Sequence, residues 1–398
     1  MKKLLLLGGA RYLLPVIEEA HRLGIYVITC DYLPDNAAHK FSDEYRNVSI
    51  TDRDAVLETA LALGIDGIMS FACDPGVTTA AYVAEKMGLP FAGSYEAVSI
   101  LQNKGRFRRF LAEHGFNVPW ARSYTEADEA LADAAAFRWP MIVKPVDSAG
   151  SKGVTRVDGP GELAAAIARA KEFSLCGGFI IEQFIQQQGS SSDSDCFSVN
   201  GELRYCSFDD QLFDCSAENP YTPAAYIWPS TMPEWAQKEL RGELQRLITL
   251  LGLRTSLYNI ETRLGTDGRT YIMEVSPRGG GNRLSEVLAM AAGTNLIANA
   301  VKAAVGLPAD DMNDPVYNGH WTEIILHSDR DGRFKALETD EALESAVVQR
   351  DLWVKPGDTV ESFSGANKAI GTLVMNFASR ADAEKYMADS SWYKVAVE

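Results

Sequence analysis

Basic residues are in short supply in this chain. Lys and Arg number 38 against 54 Asp and Glu, a formal charge of -16. That deficit excludes nucleic acid as a main partner, because neutralising phosphates takes a broad basic surface. A small anionic ligand stays open, since it needs only a local cluster of Lys and Arg. Cysteine is sparse and unpatterned: the 6 residues, at 30, 73, 176, 196, 206 and 215, form no C-x-x-C and have no paired histidines. Zinc and thioredoxin-like chemistry are therefore disfavoured, and reduced buried thiols are expected. No stretch approaches ~20 uncharged apolar residues, which argues against a membrane span. The start, Met1-Lys2-Lys3 and then Leu4 to Leu7, imitates a signal peptide. Arg11, Glu18 and Glu19 follow, however, and no small-residue cleavage site appears, so a cytoplasmic location is expected. Internal repeats are also missing.

What is present describes a globular chain. At about 150 residues per domain, 398 residues predict two or three domains. An apolar fraction of 46% with 23% charged residues can build a large core without disulfides. The first 92 residues alternate strand and helix signals: strands at Lys3–Leu7, Ile25–Cys30 and Gly67–Phe71, helices between and after them. That alternation implies a doubly wound parallel sheet. Gly8-Gly9 after the first strand and Asp31 after the second suggest dinucleotide binding, but the G-x-G-x-x-G spacing fails. Residues 93–121 read as a connector with one helix over Leu101–His114. A compact unit follows over about 122–187, and 186–194 reads as a polar mobile loop. Asn200-Gly201 signals a hairpin. Residues 306–398 read as a mixed tail with strands near 321–327, 351–354 and 370–377 and a helix at Arg380–Met387.

The segment from Leu257 to Ser276 concentrates charge. Asp267-Gly268 is a preferred pair for a two-residue turn. With that turn, Glu261 lies opposite Glu274, Asn259 opposite Ser276 and Arg263 opposite Ile272, all on one face. Opposed carboxylates repel by roughly 0.2–1 kcal/mol. Either each Glu turns into solvent or a divalent cation neutralises the pair, and oxygen-only ligands suit Mg²⁺ shared with phosphate. Pro277-Arg278-Gly279-Gly280-Gly281-Asn282-Arg283 comes next and opens a helix. Backbone amides there could hold an anion beside two arginines. Carboxylates for a metal next to an anion cradle describe a phosphoryl-transfer site.

Two lysines stand upstream. Lys144 ends an apolar strand, where a charge is costly unless it meets its opposite. The small-residue loop Ser148-Ala149-Gly150-Ser151-Lys152-Gly153 follows and could bring amides against phosphate, although it is not a Walker A motif. Lys104 lies in Asn103-Lys-Gly-Arg-Phe-Arg at the start of the connector helix. The strand from Phe179 carries Glu182-Gln183 at its end, before Phe184 and Ile185.

Taken in order along essentially the whole chain, these features resemble the ATP-grasp superfamily. The carriers are N-K-x-x-F-R at 103–108, I-V-K-P at 142–145 with S-x-G-S-x-G, I-E-Q-F-I at 181–185, Glu261, and E-V-S-P-R-G-G-G at 274–281. The arrangement is similar to the carboxylate–amine ligases related to biotin carboxylase and carbamoyl phosphate synthetase, amino-acid ligases included. Val354-Lys-Pro-Gly-Asp358 resembles the C-terminal domain of those amino-acid ligases. The resemblance implies an α/β chain with a doubly wound pre-ATP-grasp domain (1–92), an ATP-grasp domain (93–305) with a mobile lid (about 122–187), and a mixed α+β C-terminal domain (306–398). It implies that Lys104 and Lys144 hold the ATP phosphates under the 148–153 loop, with Ser148, Gly150, Ser151, Lys152 and Gly153 in contact. Glu182, Gln183, Phe184 and Ile185 would line the adenine. Glu261 and Glu274 would bind a pair of Mg²⁺ ions, for which Mn²⁺ can substitute. Arg278 would steady the carboxylate and acyl phosphate, and Arg283 would help to select substrate.

Two departures stand out. Ser276 occupies the third metal position, where Asn or Asp is usual. The ribose-contacting acid has no clean counterpart, with Asp193 and Asp195 as candidates. The implied activity is a C–N ligase acting through an acyl phosphate on a small carboxylate and an amine, with a homodimer open as the assembly. A bicarbonate- or carbamate-type enzyme and a nucleotide-binding protein without chemistry are the alternatives.

Overall fold

A computed structural model describes residues 1–388 and 390–398. The N-terminal sheet is parallel, as the alternation predicts, in the order Glu44–Arg46, Tyr26–Cys30, Lys3–Leu7, Gly67–Ser70. The short Glu44–Arg46 strand is additional to the expected set. Leu4 and Leu6 feed one core while Leu5 and Leu7 feed another, because helices cover both faces of a parallel sheet. A Cβ on Gly9 would lie 2.5 Å from the His39 ring. Asp31 accepts from the Leu33 N–H (3.1 Å) and Asn36 Nδ2 (3.0 Å). The first turn is thus filled by the chain itself, as in a plain scaffold.

The single connector helix expected over Leu101–His114 is two helices, Tyr95–Gln102 and Lys104–Glu113. Asn103 leaves helical geometry between them (φ −111°, ψ 108°), and its side chain accepts from the Arg106 N–H at 3.0 Å. That cap starts the second helix and fixes Lys104 in its first turn.

A four-stranded sheet runs Ala121–Tyr124, Phe179–Gln183, Met141–Pro145, Thr155–Val157, all antiparallel, with the helix Leu163–Glu172 over it. The next sheet runs Glu202–Cys206, Ser192–Val199, Ser256–Leu264, Thr270–Ser276, and the helix Glu234–Leu250 shares its core. Its second strand corrects the expectation of a mobile loop over 186–194, for the strand begins at Ser192 and Ser191, Ser192 and Ser194 are buried. The hydroxyls have partners: Ser194 Oγ lies 2.8 Å from Ser207 Oγ, and Ser192 Oγ accepts from the Asp209 N–H at 3.0 Å. A serine run can therefore enter a packed strand.

A five-stranded antiparallel sheet joins Asp210–Phe213 and Pro223–Trp228 to His320–Leu326, Gly371–Phe377 and Val347–Leu352. It draws strands from both sides of residue 305. Tyr226, Trp228 and Trp321 join Phe71, Leu257 and Leu284 in one core cluster, whereas Trp235 is 52% exposed. A small sheet of Thr359–Val360, Gly332–Thr339 and Tyr393–Val397 ends the architecture, and the last helix spans Arg380–Met387, as expected. All six cysteines are free. Among the described residues no helix is long and apolar enough to cross a membrane.

Candidate functional site

The hairpin brings Glu261 opposite Glu274 and Asn259 opposite Ser276, the register that the spacing predicts. Its turn is different. Gly265 N–H donates to Arg269 O at 2.9 Å and Gly268 adopts φ +75°, a three-residue loop ending in a glycine bulge. A second bulge between Glu261 and Thr262 absorbs the offset, so Arg263 pairs with Tyr271 and not with Ile272. Ile272 accordingly joins the core with Ile260 and Val275, while Tyr271 and Met273 pack on Ile185. The strand Ser192–Val199 flanks the hairpin with Asp193 opposite Glu261 and Asp195 opposite Asn259. Two rows result: Asp193–Glu261–Glu274 and Asp195–Asn259–Ser276.

The first row is a line of like charges. Glu261 and Glu274 keep 31% and 34% of their side chains exposed and meet Arg263 Nη2 (3.3 Å) and Lys104 Nζ (3.5 Å). Asp193 is turned away, accepting from Asn259 Nδ2 (2.8 Å), Gln211 Nε2 (3.2 Å) and Tyr226 OH (3.3 Å). Burial, with Glu261 adding to it, pushes Asp193 up to about 7. Among the described residues no three His, Cys, Asp or Glu side chains group as a metal cage. Mg²⁺ needs only one or two carboxylates when phosphate oxygens complete its shell, and the Glu261–Glu274 pair fits that demand. Ser276 does not add to it here: its hydroxyl accepts from Gln102 Nε2 (2.8 Å) and donates to Asp74 Oδ1 (2.7 Å).

Asp74 is a site residue that the sequence reading missed. Arg278 donates to both of its oxygens (Nε 3.0 Å, Nη2 2.7 Å) and to Asn259 Oδ1 (2.9 Å). Burial would raise the Asp74 carboxyl, but the Arg278 guanidinium holds it below the usual range. The available signal was its position, at the helix start after Gly67–Ser70, where parallel sheets place ligands. The glycine run also departs from the anion-cradle expectation. Gly280 N–H already donates to Asp195 Oδ1 at 2.9 Å, and a Cβ on Gly279 would sit 2.2 Å from the Phe71 ring. These glycines permit close packing. Asp195, a ribose candidate by resemblance, is buried beneath that loop, where it also accepts from Ser285. Arg283, expected to select substrate, is held by Glu286 (3.0 Å), Gln349 (2.8 Å) and Thr372 (3.1 Å), away from both lysines.

On the lid side, Lys144 Nζ lies 2.5 Å from Glu182 Oε1, and Arg108 Nε donates to Glu182 Oε2 at 2.9 Å. Arg108 was also missed: it appeared only as the last residue of the N-K-x-x-F-R stretch, with no role. Burial would raise Glu182, yet Arg108 and Lys144 hold it at about 2. Burial lowers Lys144, opposed by Glu182. Glu182 is thus engaged with cations, while Ile185, Tyr271 and Met273 form a small buried apolar cluster. Gln183 and Phe184 anchor the strand end through N–H bonds to Trp120 O (2.8 Å) and Pro140 O (3.1 Å). Lys104 Nζ donates to Ser148 O at 2.8 Å, so one ammonium touches both the loop and Glu274. Gly150, Ser151 and Gly153 take left-handed φ (67°, 57°, 70°). Ser151 Oγ donates to Tyr221 O at 2.8 Å, and Lys152 is exposed. The arrangement, two lysines and a polar loop beside two opposed carboxylates, can hold a polyphosphate and a divalent cation.

Residues 137–286 match the family model of the ATP-grasp domain. A formate-dependent phosphoribosylglycinamide formyltransferase of Synechococcus sp. (strain WH7803) is 33% identical over 193 residues, 46% of this chain and 48% of that one. So this chain spans about half the length of that relative. The enzyme of the same name from Parasynechococcus marenigrum (strain WH8102) is 25% identical over 96% of both chains. Among solved structures, the L-amino acid ligase from Bacillus licheniformis superposes with a TM-score of 0.82 at 21% identity, covering 100% of this chain and 99% of that one. This chain therefore carries an ATP-grasp domain within a full-length ATP-grasp fold.

Proposed function

We propose that this protein is an ATP-dependent carboxylate–amine ligase that works through an acyl phosphate and releases ADP and phosphate. One observation carries the reading: Lys104 links Glu274, of the opposed pair Glu261–Glu274, to the 148–153 loop, so a metal at that pair and phosphates under that loop would share one ammonium. Mg²⁺ bound at that pair would neutralise the charge of the transferred phosphoryl group. Lys104 and Lys144 orient the phosphates, and the adenine packs against the apolar cluster of Ile185, Tyr271 and Met273. A substrate carboxylate oxygen attacks the γ-phosphorus and the bond to the ADP oxygen breaks. Arg278, fixed by Asp74, holds the acyl end. An amine lone pair then attacks the acyl carbon, phosphate departs with the bonding electrons, and the amine proton passes to solvent. The docked 148–153 loop excludes water that would hydrolyse the intermediate.

The three-domain division at 92 and 305, the number of metal ions, a homodimer and a cytoplasmic location belong to the same proposal. The test is ADP release with Mg²⁺ across a matrix of carboxylates and amines that includes formate and bicarbonate, with phosphoribosylglycinamide among the amines. Turnover that needs both an acid and an amine is expected, and Glu274→Gln should lower it at least about 100-fold, as loss of a charge-stabilising group does. Bicarbonate-dependent release would favour carboxylase-type chemistry. Nucleotide binding without ADP release from any pair would instead favour a protein without chemistry, the reading that the engaged Ser276 hydroxyl motivates.

A further inference from the structure

His327 follows the middle strand of the five-stranded sheet, and its side chain is 9% exposed. Ring nitrogen Nδ1 lies 2.6 Å from Ile325 O, and Nε2 lies 3.2 Å from Asp214 Oδ2. A carbonyl and a carboxylate oxygen can only accept, so the ring donates to both only when it carries two protons. One face of the ring stacks on Phe363 at 4.0 Å. The other Asp214 oxygen accepts from the Ser216 N–H (2.8 Å) and Ser216 Oγ (2.6 Å). Burial would raise the Asp214 carboxyl, but Ser216 and His327 hold it below the usual range.

The two residues that the ring touches, Asp214 and Phe363, lead to the 148–153 loop. Asp214 opens the connection 214–222, in which Tyr221 O accepts from Ser151 Oγ (2.8 Å) and Asn219 Nδ2 donates to Ser151 O (3.1 Å). The Asn219 N–H in turn donates to Phe363 O at 3.3 Å. Ser151 has φ 57°, a left-handed backbone that a residue other than glycine keeps only where its surroundings hold it. The other charged and titratable groups at this junction are engaged elsewhere or open to solvent. Glu218 accepts from Ser362 Oγ, Asp331 accepts from the Ser362 N–H (2.8 Å), and Arg330 Nη2 donates to Val397 O (2.7 Å). Glu361 pairs with Lys368, and Cys215 is exposed. Tyr393, on which Asp214 acts, is pushed up to about 12, chiefly by burial. Among the described residues Asp214 is the one acid within ion-pair range of the ring.

We propose that protonation of His327 latches the 148–153 loop shut. Histidine is the side chain that ordinarily changes charge between pH 5 and 8. Below that window the imidazolium joins Ile325 O to Asp214 and pins the connection that holds Ser151. Above it the single ring proton stays on Nδ1, whose contact is the shorter, and the Nε2 lone pair then faces the Asp214 carboxylate. Attraction becomes repulsion, and the connection loosens. The proton is exchanged with solvent. The inference goes beyond the ligase reading, and its test needs no turnover. Endoproteinase Lys-C cuts after Lys152, an exposed residue of the loop, and a free peptide of residues 146–158 corrects for the pH response of the protease. From pH 5.5 to 8 the corrected rate in the whole protein should rise about threefold or more, the size expected of one part-exposed ion pair. His327→Gln keeps a donor for Asp214 but does not titrate, so its corrected rate should be flat, and Asp214→Asn should flatten the rise as well. Tm at each pH shows that the variants are folded. A flat wild-type rate, or a rise that persists in folded His327→Gln, would overturn the inference. So would an equal rise at Lys238, exposed in the helix Glu234–Leu250, because the whole protein would then be loosening.

Discussion

Glu182 is a carboxylate committed to two cations inside the protein. Arg108 and Lys144 share it, and Arg108 Nη1 also donates to Met273 O at 2.8 Å. Removing one member leaves a buried charge half compensated, which costs about 3–5 kcal/mol. Arg108→Leu should lower the unfolding free energy by that much at pH 7, seen as a lower urea midpoint. Arg108→Lys should recover only part of it, because an ammonium cannot serve Glu182 and Met273 in a fixed fork. An unchanged midpoint in Arg108→Leu would mean that Lys144 alone satisfies Glu182. Asp195 offers a pH test. Burial raises it from 3.8 to about 6, against the opposing bonds from Ser285 and Gly280. The folded state then binds more protons than the unfolded state between those values. This contribution is fully present below about pH 4 and is lost as pH rises through 6, by at most about 3 kcal/mol. Asp195→Asn keeps an acceptor for Gly280 N–H and should flatten that part of the slope. Urea midpoints of both proteins from pH 4.5 to 7 would show it, and parallel curves would contradict it.

Between elements, the glycine run packs tightly against the N-terminal sheet. A Cβ on Gly279 would reach the Phe71 ring at 2.2 Å, and Ala72 N–H donates to Gly279 O at 3.1 Å. Gly279→Ala must separate these segments and should cost about 1–3 kcal/mol. A smaller side chain at 71 should return part of the loss, so the coupling energy between Gly279→Ala and Phe71→Leu reports the contact, with strict additivity the result against it. The hairpin shows how much of such geometry is legible beforehand. Alternation and a two-residue turn opposed Glu261 and Glu274 on paper; the protein makes a longer turn, and the bulge restores the same pairing. The bulge was not legible, because one extra residue leaves the apolar pattern intact while turning Tyr271 and Met273 toward Ile185. The partners Asp74 and Arg108 were hidden for a different reason: they come from helices remote in sequence, and local pattern carries no distance.

Over the whole molecule, the doubly wound start was readable because strand and helix signals alternate along the first 92 residues, and its leucines duly serve two cores. The five-stranded sheet was not, since it is assembled from strands on both sides of residue 305. Chain closure of that kind places Asn219 where three remote segments meet. Its Nδ2 donates to Ser151 O (3.1 Å) and Ser364 O (3.3 Å), and its N–H donates to Phe363 O (3.3 Å). The 148–153 loop is therefore latched to the C-terminal region through one amide side chain. Asn219→Ala should leave global stability within about 1–2 kcal/mol of wild type, the worth of its hydrogen bonds, while freeing the loop to open. Limited proteolysis should then cut faster within 148–153. Under the ligase reading, ADP release should also outrun amide formation, because water reaches the acyl phosphate when the loop lifts. Faster cutting with coupling intact would locate the water barrier elsewhere. Unchanged cutting would show that Ser151 Oγ on Tyr221 O, at 2.8 Å, holds the loop unaided.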